Sequence, residues 1–165
     1  MIITPLLVVF MVIVFIVLFL FFNTIDRRKW LTFLVSMVFT PIVYFYVFYP
    51  FLNIISNFHH QKYFDASAWN EKPALRYEMI DDMIATDTLI GLSKSAIEER
   101  LGRFEWLTWD ESMKKHDSSR WNYGLGIEPG AFNKNKEALE IIFKNDSVVK
   151  LAPYQQKISY DSSEE

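Results

Sequence analysis

The pattern of apolar and polar positions changes once along the chain, near Asn57. Before that point almost every residue is apolar. After it, apolar and polar residues alternate with the periods of a folded domain. Residues 2–22, "IITPLLVVFMVIVFIVLFLFF", carry no charge and match the ~20 residues that cross a ~30 Å hydrocarbon core. Thr4-Pro5 suits the start of that helix, because proline in a first turn loses no useful donor. The run lacks the positive leading segment and small-residue cleavage site of a signal peptide. A second apolar run covers residues 30–55. Trp30 lies at one edge of it and Tyr44, Tyr46 and Tyr49 toward the other, as in an aromatic belt. Pro41 inside this run predicts a kink. Ser36 and Thr40, four apart, are placed to line a helix–helix contact. Residues 1–57 therefore predict a transmembrane helical hairpin with spans of about 2–22 and 30–55. Its loop, residues 23–29, holds Arg27, Arg28 and Lys29. Positive charge is retained in the cytoplasm, so the loop is expected inside and both termini outside.

Residues 58–72 show little periodicity and read as a juxtamembrane connector. From Pro73, "PALRYEMIDDMIATD" places Leu75, Met79, Ile80, Met83 and Ile84 on one helical stripe. Glu78, Asp81 and Asp82 fall away from that stripe, as on a solvated face. In "LIGLSKSAIEERLG", Gly91 permits a positive φ, Ser93 is a good N-cap and Gly102 fits the helix end. A helix this short does not hold alone in water, so it must pack on a partner. Strand alternation supplies one. Trp121, Tyr123 and Leu125 share a face in "RWNYGLGIE", and Leu139, Ile141 and Phe143 share one in "EALEIIFKN". Asn145-Asp146 marks a tight turn before "SVVKLAPY". "RFEWLTW" is open between a first strand and an extended arm. The expected fold of residues 73–154 is α+β, two helices on a three-stranded antiparallel sheet. Residues 155–165 have the composition of a disordered acidic tail.

Charge and composition then exclude function classes. The net charge of −3 with no basic cluster beyond the short loop argues against a nucleic-acid footprint. The chain has no cysteine, hence no disulfide framework, thiolate zinc site or cysteine nucleophile. Three close carboxylates lack the spacing of a calcium loop. His59 and His60 are adjacent and do not share a chelating face, which needs spacing of four; they read as interfacial polar residues, and His116 receives no role. No nucleophile–base motif and no phosphate loop is present, so neither an enzyme nor a cofactor is expected. Trp106, Trp109 and the neighbouring Phe104 are candidate partner contacts, because aromatic residues dominate interface hot spots. Trp69 is a candidate for the membrane interface.

The residues Gly91, Leu92, Ser93, Leu101 and Gly102, then Trp121 and Tyr123, then Leu139, Ile141, Phe143, Asn145 and Val148 form a sequence of caps, turns and core positions. This pattern resembles the SmpA/OmlA (BamE-like) domain, which shares its two-helix, three-stranded unit with the β-lactamase inhibitor protein repeats. Two departures stand out. Phe104 occupies the place where the family usually has proline, and the lipidated cysteine of many members is absent. The resemblance implies an extracytoplasmic protein-binding module, here held by the hairpin in place of a lipid. Helical spans point to a bacterial inner (cytoplasmic) membrane. The expected partners are the lipid bilayer, through two helices, and an unidentified envelope protein. The alternative is an accessory or protective membrane protein whose hairpin is the working part.

Overall fold

In a computed structural model, which describes residues 1–158, the first helix, α1 (Pro5–Ile25), starts where Thr4 Oγ1 accepts the Leu7 N–H at 3.3 Å. The next helix, α2 (Lys29–Val43), follows a short loop and leads into a π turn, Tyr44–Phe48, and then α3 (Tyr49–Ile55). The sequence predicts a kink at Pro41. The helix continues through that proline, and a π turn follows three residues beyond it. Pro5–Ile25 and Lys29–Ile55 have mean hydropathies of 3.3 and 2.0 and are both long and apolar enough to cross a membrane.

Thr32, Ser36 and Thr40 form the buried stripe of α2, in line with their four-residue spacing. Each hydroxyl is satisfied within its own helix. Thr32 donates to Arg28 O at 3.1 Å, Ser36 to Thr32 O at 2.7 Å and Thr40 to Ser36 O at 2.7 Å. Small side chains that need no outside partner let two helices approach closely.

The chain divides into two compact units. The first is Met1–His60 with Pro129–Phe132; the second is Gln61–Glu128 with the residues from Asn133 onward. In the second unit, α4 (Ala66–Glu71), a 3-10 turn (Arg76–Met79), α5 (Ile80–Ala85) and α6 (Lys94–Leu101) precede a four-stranded antiparallel meander. The strands are β1 (Trp106–Asp110), β2 (Lys115–Gly126), β3 (Asn135–Lys144) and β4 (Ser147–Lys157), in the order β1-β2-β3-β4. The unit is thus α+β. Ser93 Oγ accepts the Ala96 N–H at 3.3 Å at the start of α6, and Gly102 ends it at φ +78°. The β3–β4 hairpin turns through Asn145 and Asp146, both at positive φ, as a two-residue hairpin requires. The core joins Ile97 and Leu101 of α6 to Met83, Leu89, Trp121, Tyr123, Leu139, Ile141 and Phe143. The alternation in the strands placed those sheet residues correctly.

Four details differ from the sequence reading. The sheet has four strands, not three, because the segment open between strand and arm pairs with β2 as β1, with Trp106 opposite Asn122. The helix expected from Pro73 is broken: Leu75 forms a bridge to Gly126, so regular helix begins only at Ile80. Residues assigned to the connector contain α4, whose Trp69 is 0% exposed and belongs to the core of this unit. Finally, β4 runs to Lys157, opposite Asn135, past the expected end at Tyr154. Residues 159–165 of the predicted disordered tail lie outside the described residues.

The carboxylates read as a solvated face act together. Glu78 forms an ion pair with Lys62, Asp81 accepts from Gln61 Nε2 at 2.6 Å, and Asp82 accepts the Phe64 N–H at 2.8 Å. They bind the segment Gln61 to Phe64 alongside the 3-10 turn and α5. Their targets lie some twenty residues upstream, which no local period reveals.

Two glycines separate local strain from packing. A Cβ at Gly126, at φ +101°, meets Ala74 O at 2.2 Å, whereas a Cβ at Gly91, at φ +82°, meets nothing within 4 Å. Gly91→Ala is expected to cost about 1 kcal/mol, the backbone penalty alone. Gly126→Ala is expected to cost clearly more, on the order of 3 kcal/mol, because backbone must move. Urea unfolding of the full chain in detergent micelles, followed by tryptophan fluorescence, measures both. Equal losses at the two positions would contradict the packing at Gly126.

Candidate interaction face

Alternation along the strands sends Trp121, Tyr123, Leu139 and Ile141 to the side covered by the helices. The opposite side of the sheet carries Trp106, Thr108, Asn122, Glu140, Ile142 and Tyr154, by register with one another. Among the described residues, the helices of this unit join the core on the other side, yet Asn122 is only 1% exposed and Glu140 8%. The cause is a hydrogen-bonded network that crosses all four strands. Thr108 Oγ1 donates to Glu140 Oε1 at 2.5 Å, and Arg120 Nη2 donates to Oε2 at 2.7 Å. Asn122 Nδ2 donates to Thr108 Oγ1 at 2.9 Å, and Tyr154 OH donates to Asn122 Oδ1 at 2.9 Å. Ala138 stands opposite Tyr154. Its methyl leaves room for the Tyr154 ring to reach across β3 to β2.

Electrostatics follow from these contacts. The Glu140 hydrogen bond raises the Arg120 guanidinium above its ordinary value. Burial pushes the Tyr154 hydroxyl up, against the opposing pull of the Trp106 indole. The network uses both oxygens of Glu140, both groups of the Asn122 amide and the Tyr154 hydroxyl. Its members hold one another still. Around it on the same face stand Trp106, Ile142, Arg120 and Lys150.

The β1–β2 hairpin continues the sheet beyond this network, with Thr108 on the open face and Trp109, its neighbour, on the other side. Asp110 Oδ1 accepts from Ser112 N at 2.8 Å, Ser112 Oγ at 2.6 Å and Met113 N at 3.1 Å, which stiffens the turn. The same bonds, led by that from the Ser112 hydroxyl, lower the Asp110 carboxyl below its usual range. Trp109, just before that turn, is 48% exposed, and Met113, within it, 56%. Trp109 lies edge-on to His116, its cross-strand partner, with ring centroids 5.2 Å apart.

The structure separates the residues singled out in the sequence. Trp109 is exposed, Trp106 is half-buried on the open face, and Phe104 packs against the core on Trp121 with centroids 4.8 Å apart. Gly91, Ser93, Gly102, Trp121, Tyr123 and Phe143 take cap, turn and core positions. Arg27, Arg28 and Lys29 are exposed in the loop and first turn between α1 and α2. Sequence reasoning missed the Asn122–Glu140 network. The only signal was polar residues in the outward register of strands, which ordinarily means solvent. Among the described residues no group of three or more His, Cys, Asp or Glu is placed to hold a metal. The chain matches no known protein family, no curated protein and no solved structure.

Asn122→Ala removes both the donor to Thr108 and the acceptor for Tyr154. It is expected to destabilise the full chain by about 1–3 kcal/mol, measured by urea unfolding in micelles. Tyr154 also predicts an alkaline effect. Its folded-state value lies above the ordinary one, near pH ~10. Its contribution is therefore intact below pH ~10 and disappears as pH rises through the folded-state value. Tyr154→Phe is expected to flatten the fall of the thermal midpoint as pH rises above about 10. Some slope remains, because burial raises Tyr123 as well. An unchanged slope would remove Tyr154 from the explanation.

Proposed function

We propose that the chain is a membrane-anchored, extracytoplasmic protein-binding module of the SmpA/OmlA (BamE-like) kind, and that it is not an enzyme. The hairpin spans a bacterial inner membrane, with the Arg27–Arg28–Lys29 loop in the cytoplasm and both termini outside. The open sheet face and the β1–β2 hairpin receive an envelope protein.

The observation that carries this reading is a sheet face left without a helix but held rigid by its own buried network. Two further exposed large side chains, Trp109 and Met113, stand in the adjoining β1–β2 hairpin. A preorganised surface spends less ordering on association than a flexible one, and aromatic residues with Met are enriched at interface cores. The hairpin reading is supported by two long apolar helices and a basic loop between them. The family reading rests on the Gly91–Ser93 turn, the Gly102 helix end and the strand residues named above.

A photoreactive residue at Trp109 or Lys150, with another at Asp87 as control, tests the proposal in native membranes. The same discrete cross-linked partner is expected from 109 and 150 but not from 87. Products of equal yield from all three positions, or none from any, would overturn it. Replacing residues 1–55 with an unrelated two-span anchor tests the division of labour. Cross-linking should persist. Its loss would make the hairpin the working part.

A further inference from the structure

The segment after α3 does not leave the hairpin. Within the first unit, Ser56 ends α3 by donating its hydroxyl to Leu52 O at 2.9 Å, and the chain then folds back. Phe58 packs edge-on against Phe10 of α1, with centroids 5.1 Å apart, and against Tyr49 at 6.2 Å. The His60 ring stacks on Tyr49 at 4.0 Å and meets Phe45 and Phe58 edge-on. Its Nε2 lies 3.0 Å from the hydroxyl of Tyr44, itself fully buried.

The π turn makes this arrangement. In a regular α-helix, residues five apart point about 140° away from each other. In the turn Tyr44–Phe48 the Tyr49 N–H donates to Tyr44 O, so the two residues lie on one face, their rings stacked with centroids 6.3 Å apart. His60 uses both. π turns inside helices are frequent at functional sites, and this one has a definite product.

Helix lengths give the depth, if the hairpin spans a bilayer as proposed above. α1 has 21 residues, about 30 Å of rise, which equals the hydrocarbon core. Lys29–Ile55 has 27 residues, about 40 Å. The second helix therefore overshoots, and its outer boundary falls near Tyr49. Phe10 lies five residues inside the start of α1, about 7 Å below it. Phe58 touches Phe10, so the returning segment passes below the boundary. A polar ring at that depth needs a partner, since none is available from lipid. Tyr44 provides it.

We propose that Phe58–His60 form a re-entrant strap that lies in the outer leaflet interface and is locked there by the Tyr44–His60 pair. The strap makes the exit from the membrane a fixed element instead of a flexible linker. It rests on the spanning reading of the hairpin.

The absence of cysteine allows a clean test with the full chain in proteoliposomes. Single cysteines are placed at Val12, His59 and Ser67 and treated with a charged maleimide, with access to both membrane faces given by freeze–thaw cycles of the vesicles. Ser67→Cys is expected to label rapidly and Val12→Cys to be protected. His59→Cys should label at least about tenfold more slowly than Ser67→Cys, and Tyr44→Phe or His60→Ala in the same chain should restore much of that rate. Rapid labelling at Val12 means that the spanning reading fails, and the strap with it. Protection at Val12 with rapid labelling at His59 overturns the strap alone. Slow labelling at His59 that neither Tyr44→Phe nor His60→Ala accelerates overturns the latch.

Discussion

The Arg76 guanidinium lies among three segments that are distant in sequence. Its Nε donates to Trp69 O at 2.9 Å, and its Nη1 donates to Glu105 Oε1 at 2.6 Å and to Gly124 O at 3.0 Å. Its carbon centre sits 4.8 Å over the Trp69 ring. One side chain thus joins α4, the lead into β1, and β2. Charge-assisted bonds of this kind are about twice as strong as neutral ones. Withdrawing the charge leaves buried carbonyls without donors, which costs more than the bonds contribute. The break at Leu75, the short α5 and the added strand β1 all accommodate this arrangement. Glu105 completes it, donating nothing but accepting from Arg76 and from the Gly124 N–H at 3.1 Å.

The same constraint, satisfaction of buried polar groups, explains the other distinctive places. In the hairpin, Thr32, Ser36 and Thr40 turn their hydroxyls back on their own helix. On the open sheet face, Thr108, Asn122, Glu140 and Tyr154 satisfy one another. At the end of the hairpin, His60 meets Tyr44. A polar group removed from water costs about 1–3 kcal/mol when unpaired, so each position admits few alternatives.

The elements legible beforehand were those with a local cause. The charge-free run before Phe22, the Ser93 and Gly102 ends of α6 and the Asn145-Asp146 turn each depend on residues within a few positions. The sheet core was legible because a buried face imposes a period of two. The candidate face was half legible. Trp109 stood out by type, and it is exposed. Phe104 stood out equally and packs against the core on Trp121, since residue type does not distinguish a core aromatic from a displayed one. The Asn122–Glu140 network gave only the weak signal of polar residues in outward register, which ordinarily means solvent. Its residues occupy outward positions, and their burial comes from side chains on neighbouring strands.

Sequence alone determined the two apolar helices, the α+β character, the caps and turns, and the inward register of the main strands. These follow from hydropathy and backbone preference, which act over a few residues. Tertiary structure decided that β1 is a strand, that Trp69 belongs to the domain core, that Glu78, Asp81 and Asp82 hold a neighbouring segment, and that a π turn aligns Tyr44 with Tyr49 for His60. In each case the deciding energy is a contact between residues far apart in the chain. Local propensity at those positions is weak or contrary, so only the folded arrangement selects the outcome.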